Sequence, residues 1–280
     1  MIHIFKSLGA ALAVVALSFT ALQAQTAPKP KSQKEVDALR AIQSAQTNEA
    51  RLKAIENVLD NFADTDYKVM LLTMGMQLSE QSNNYVGTVN WAERLLDADP
   101  KNVFATATLA AEIARHTREH DLDKAEQLAK VRKYAKATID NVPTAPKLRP
   151  DITDEQWTAL KKDIDAQAYE ALGMADALDD KYDAAVQDYK QAQDSAATPD
   201  PATYVRMGDA YMHLSKYDDA IAAFDKAANA PNAQPQVKQV AAAKKADAEK
   251  MKGAGAKPAT GAAAAGAPGA AAPGQVDIKH

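Results

Sequence analysis

One pattern is written twice between residues 166 and 231. Tyr169-x-x-Leu172-Gly173 is followed by Tyr182, Ala185, Tyr189 and Ala192. In the same frame, Tyr204-x-x-Met207-Gly208 is followed by Tyr217, Ala220, Phe224 and Ala227, and this copy adds Tyr211. A unit this short cannot bury its own apolar faces, so it has to stack on copies of itself. That requirement selects a helical array and sets aside most other folds.

The helical period extends well beyond these two copies. Val36, Leu39 and Ile42 share one face, and after a polar break at 46–48 the next stripe holds Leu52, Ile55, Val58, Leu59 and Phe62. A second pair starts near Tyr67 with Leu71-x-x-Met74-Gly75-x-x-Leu78. Its turn at 81–84 reads as one residue longer than the frame, before Tyr85, Thr88, Ala92 and Leu95, and Pro100 stops it. A third, looser pair covers 103–115 and 123–141, with Ala110 or Ala111 in place of the glycine. Pro143, Pro146 and Pro150 make 142–152 a loop. Thr153-x-x-Gln156 then has the form of a capping box, opening a long helix to about Leu178. Pro201 suits the first turn of the fifth pair, and a last helix runs from Pro235 to about Lys252 with a polar outer face.

On these residues the chain resembles the tetratricopeptide repeat family, whose frame is aromatic-x-x-Leu-Gly-x-x-Tyr, then Ala, Phe or Tyr, Ala and Pro. The resemblance implies an all-α fold, a right-handed α-solenoid of about five helix–turn–helix pairs with a C-terminal capping helix. Gly75, Gly173 and Gly208 stand where paired helices approach closely, Ala185 and Ala220 are small for the same reason, and Tyr189 and Phe224 are knobs against the neighbouring pair. The terminating proline is displaced in both clear copies, at Pro199 and Pro231.

The first helix of each pair is then expected to line a groove that binds other proteins or peptides. The groove positions are Leu72, Thr73 and Met76 in the second copy and Gln167, Glu170, Ala171 and Met174 in the fourth. In the fifth they are Val205, Arg206, Asp209, Met212 and His213. Family members that bind chaperone tails grip a peptide carboxylate with Lys, Asn and Arg. Here only Arg206 among these positions is basic, so that clamp is missing and an apolar, somewhat basic segment suits the lining better.

The two ends place the chain in the cell. Lys6 precedes an apolar run from Leu8 to Leu22, and Ala24 offers a small residue for cleavage, as in a secretory leader. The expected organisation is a leader at 1–24, a linker at 25–33, the solenoid at 34–252 and an Ala/Gly/Pro-rich tail at 253–280. After cleavage no stable membrane anchor is expected, and the product is periplasmic or secreted. The absence of cysteine excludes disulfides, thiolate metal sites and cysteine nucleophiles. A net charge of −4 argues against nucleic-acid binding.

One motif suggests chemistry. His116-Thr117-Arg118-Glu119-His120 has the H-x-x-E-H form of a zinc protease signature. It falls where the third pair should turn, which would break the helical spacing that both ligands need. Asp179-Asp180 and Asp218-Asp219 sit beside turns, where negative charge favours the following helix, and form no catalytic dyad. No cofactor motif and no catalytic or metal-binding set is expected. The leading expectation is an exported scaffold or adaptor in the cell envelope, not an enzyme. The alternatives are a periplasmic holdase and, more remotely, a metallohydrolase at His116/Glu119/His120.

Overall fold

A computed structural model of the chain describes residues 28–147 and 151–255. The leader at 1–24 and most of the tail, 256–280, lie outside the described residues. Within them the chain forms eleven α-helices and one short 3-10 turn, and no strand. In order these are α1 (Gln33–Ser44), α2 (Asn48–Asn61), α3 (Lys68–Gln81), α4 (Tyr85–Ala98), α5 (Val103–His116), α6 (Lys124–Asn141), α7 (Asp154–Leu178), α8 (Tyr182–Ser195), α9 (Pro201–His213), α10 (Tyr217–Asn229) and α11 (Pro235–Gly253). Helices α1 to α10 pack as five consecutive pairs, and α11 lies on the last of them.

Local chemistry sets the helix starts. Side chains of Ser32, Thr47, Asn84 and Asn102 each accept a hydrogen bond from a backbone N–H in the first turn of the helix they precede. Thr153 and Gln156 form the reciprocal capping box expected of them, which starts the long α7. Asp200 caps α9, with Pro201 at its first position.

Three of the five pairs use the same three-residue turn, at 82–84, 179–181 and 214–216. Each turn holds one left-handed residue, Asn83, Asp180 or Ser215, and the following N–H reaches back to a carbonyl near the end of the first helix. Asn and Asp adopt this conformation more readily than other non-glycine residues. The turn of the second pair is therefore not longer than the others. The additional residue lies in α3, between Gly75 and the turn.

Counted from the glycine, the residue that seats on it comes at the same spacing in all three pairs. Tyr189 lies over Gly173 and Phe224 over Gly208, each within its own pair. In the second pair Trp91 lies over Gly75, and Ala92, which the frame would align with Tyr189, is buried beside it. A Cβ at Gly75 would come within 2.5 Å of the Trp91 ring, and one at Gly173 within 2.6 Å of Tyr189. At Gly208 the approach to Phe224 is closer still. The knobs thus seat on the glycine of their own pair, and Tyr189 also belongs to the apolar cluster that holds Met207 and Ala210 of the next one.

Two apolar clusters make up the core. One gathers residues from Ile42 to Ala175, across α1 to α7, and the other gathers residues from Ala185 to Ala248, across α8 to α11. Met174 packs against both. Helix α5 is buried continuously from Val103 to Ala114, with α4, α6 and α7 against it, and Phe104 meets Trp157 with ring centroids 6.2 Å apart. Apolar residues round the whole circumference suit a helix enclosed in this way.

The described part of the expected linker, 28–32, is tied down. The Tyr67 hydroxyl donates to the Pro28 carbonyl at 2.9 Å, and the Lys31 ammonium meets Asp64 and Asp66. Glu35, 1% exposed, accepts hydrogen bonds from the Lys31 N–H and the Thr65 hydroxyl. This strap closes the first end of the array.

Candidate functional site

The first helices of the pairs position every groove residue read from the sequence. Their surroundings differ between the two halves of the array. In α3, Leu72 and Met76 are 1% and 2% exposed and belong to the apolar core, so here they serve packing and do not face solvent. The open face of the same helix carries Val69, Met70, Thr73, Gln77 and Glu80, spaced by three and four residues. Val69 and Met70 are 39% and 45% exposed, two of the few large apolar side chains exposed among the described residues. Thr73 turns its hydroxyl back onto the Val69 carbonyl, which satisfies it within the helix. At the far end, burial pushes the Glu80 carboxyl above the ordinary carboxylate range, opposed by Arg115 and assisted by Glu112.

In the second half the lining is already engaged. Glu170 of α7 is buried and accepts from the Arg206 guanidinium of α9 at 2.6 Å. Asp209 of α9 accepts from the Lys244 ammonium of α11 at 2.7 Å. Burial raises the Asp209 carboxyl, and Lys244 partly offsets that rise. These pairs run from one repeat to the next and form a charge ladder across α7, α9 and α11. Arg206, the basic residue the sequence singled out, is therefore committed to an internal partner. Met174, Val205 and Met212 are half-buried against the core, and Gln167 is half-buried on α7. Ala171 is fully in the core.

His213 stacks flat on Tyr182, ring centroids 4.1 Å apart. An equivalent stack joins Tyr85 and His116 at 4.0 Å. In both, a tyrosine that opens the second helix of one pair meets a histidine that closes the first helix of the next. The sequence did not announce this joint, although the two pairs share one spacing.

The H-x-x-E-H segment is split. Helix α5 ends at His116, and Glu119 and His120 lie in the turn beyond it, so the two imidazoles do not share a helical face. His116 Nδ1 sits 2.9 Å from the Glu112 carbonyl, and Glu119 pairs with Lys124 at 2.9 Å. Among the described residues no three His, Asp or Glu side chains are grouped so as to hold a metal ion. No described helix is long and apolar enough to cross a membrane.

Residues 201–233, the fifth pair, match the sequence profile of the tetratricopeptide repeat family. No curated protein matches the chain by sequence. Among solved structures, a double mutant (ArsTM) of MamA from RS-1 superposes with a TM-score of 0.50 at 15% identity, covering 71% of this chain and 94% of its own. TTC0263, a thermophilic TPR protein of Thermus thermophilus, gives a TM-score of 0.49 at 15% identity, covering 75% of this chain and 98% of its own. PilW, described as a widely conserved type IV pilus biogenesis factor, gives 0.49 at 10% identity, covering 80% and 94%.

Proposed function

We propose that this tetratricopeptide repeat protein is an exported, non-catalytic scaffold that binds segments of other proteins along the first helices of its pairs. One observation carries the reading: Val69 and Met70 stand exposed on the open face of a helix whose opposite face is fully packed. Apolar side chains held out on a rigid helix suit the burial of a partner's apolar residues, and Met adapts to varied shapes. Burying what remains exposed of these two side chains contributes about 1–3 kcal/mol before the cost of association, the scale of a weak, reversible peptide contact. Placement in the cell envelope rests on the leader at 1–24, with cleavage after Ala24, and the partners would be other envelope proteins.

Crosslinking capture from an envelope fraction tests the binding face. Met70→Asp should remove most of the proteins captured by the unaltered chain. A variant changed together at Met174, Arg206 and Asp209 measures what the second half contributes. An identical captured set from all three chains would show that the first helices are not the binding face.

A further inference from the structure

The first helices of the pairs differ on one side. Met70 stands five residues before Gly75, as Ala105, Ala168 and Thr203 stand five before Ala110, Gly173 and Gly208. Met70 is 45% exposed, whereas those three are 0%, 0% and 2% exposed. Two residues after the same landmarks, Gln77 is half-buried, while Glu112, Ala175 and Ala210 are buried. Helix α3 thus leaves open a side that α5, α7 and α9 bury within the array.

What fits that side is a helix. The Thr73 hydroxyl donates to the Val69 carbonyl at 2.8 Å, and the Val69 and Met70 side chains have no polar atom for an incoming backbone. An extended segment laid there would lose the water around its N–H and C=O groups with little in return, whereas a helix satisfies its own. The array buries the corresponding sides helix against helix, and the i, i+4 rows of α3 can receive the ridges of one more. The far end of the face is acidic. Glu80 faces Glu112 and Arg115 of α5, and Arg115 is paired with Glu112. The His116 imidazole, 3.7 Å from Glu112, is stacked on Tyr85. Two carboxylates share one guanidinium, which favours a further cation from outside.

We propose that the open side of α3 takes an amphipathic helix of a partner protein, about three turns long, with its apolar stripe on Val69 and Met70 and a Lys or Arg at Glu80. This rests on the groove reading above and names the form of the partner.

The probe is a phage-displayed library of random peptides of about 16 residues, long enough for four helical turns, selected on the purified chain. Selected sequences should carry apolar residues at spacings of three and four, a Lys or Arg beyond them, and no central Pro. One of them, read by fluorescence anisotropy, should bind about ten-fold more weakly with Pro placed at its centre. It should bind about five-fold more weakly to Glu80→Gln, and that loss should vanish once the peptide's own basic residue is Gln. Met70→Asp should abolish binding, and Met70→Gln serves in its place if the charge disturbs folding. Peptides with alternating apolar residues or a central Pro that still need Met70 overturn the helix and leave the groove reading standing. Peptides whose binding ignores both Met70 variants remove the groove reading itself, and a selection that enriches nothing overturns both. A dimer of the chain that Met70→Asp dissociates would place a second copy on this side and overturn the partner helix.

Discussion

The Tyr182 phenol ring lies 6° from parallel with the His213 imidazole, joining the start of α8 to the end of α9. Tyr85 and His116 repeat the contact between α4 and α5 at an interplanar angle of 20°. Because these stacks span neighbouring pairs, they act on the coupling between repeats and little on either repeat alone. His213→Ala should lower stability by about 0.5–1.5 kcal/mol, and His213→Phe should restore most of it. Urea titration followed by circular dichroism reads both. An unchanged midpoint for the alanine variant would show that the stack is incidental.

Gly173 and Gly208 face rings that cannot retreat, since Tyr189 and Phe224 are almost fully buried. Alanine at either position forces the paired helices apart, at a cost of about 1–3 kcal/mol despite its better helix propensity. Gly253, with nothing within 4 Å of a built Cβ, provides the contrast. Gly253→Ala should be neutral or slightly stabilising when the three alanine variants are compared by thermal melting.

Removing Arg206 leaves Glu170 buried without its cation. Arg206→Met should cost about 2–4 kcal/mol, below the top of the range for a broken buried pair because Arg206 keeps 31% of its side chain exposed. Replacing both, Arg206→Met with Glu170→Leu, should recover much of the loss. A double-mutant cycle in denaturant separates the pairing from the packing, and additive losses would show that the two side chains act independently.

Asp188 of α8 makes the array sensitive to pH. Burial, and then the neighbouring Asp176 carboxylate, push its carboxyl up to about 6, while Arg132 pulls the other way. A carboxyl raised in the folded state binds its proton more tightly there than in the unfolded chain. Stability should therefore fall as pH rises from about 4 through about 6. Asp188→Asn should remove that fall and add on the order of 1 kcal/mol at neutral pH, after allowing for solvent screening of a half-exposed group. Melts from pH 4 to 7.5 check both the sign and the window.

Local chemistry was readable in the sequence wherever it depended on neighbouring residues. The capping box at Thr153 and the ends of α7 follow from spacing, and the closeness at Gly173 and Gly208 from the resemblance to the repeat family. The charge ladder did not, because Glu170 with Arg206 and Asp209 with Lys244 meet only once the pitch of the array is set. Opposite charges about one repeat apart were the available signal. The strap at 28–32 was hidden because its bonds run from a segment without periodicity to Asp64, Asp66 and Tyr67.

Met174 is the side chain shared by the two apolar clusters. Across the same boundary, Tyr189 of α8 seats on Gly173 of α7, its ring 2.6 Å from a Cβ built there. A chain joined in this way carries a disturbance of its last pairs into α7, so loosening at the second cluster is felt by the first and neither opens alone.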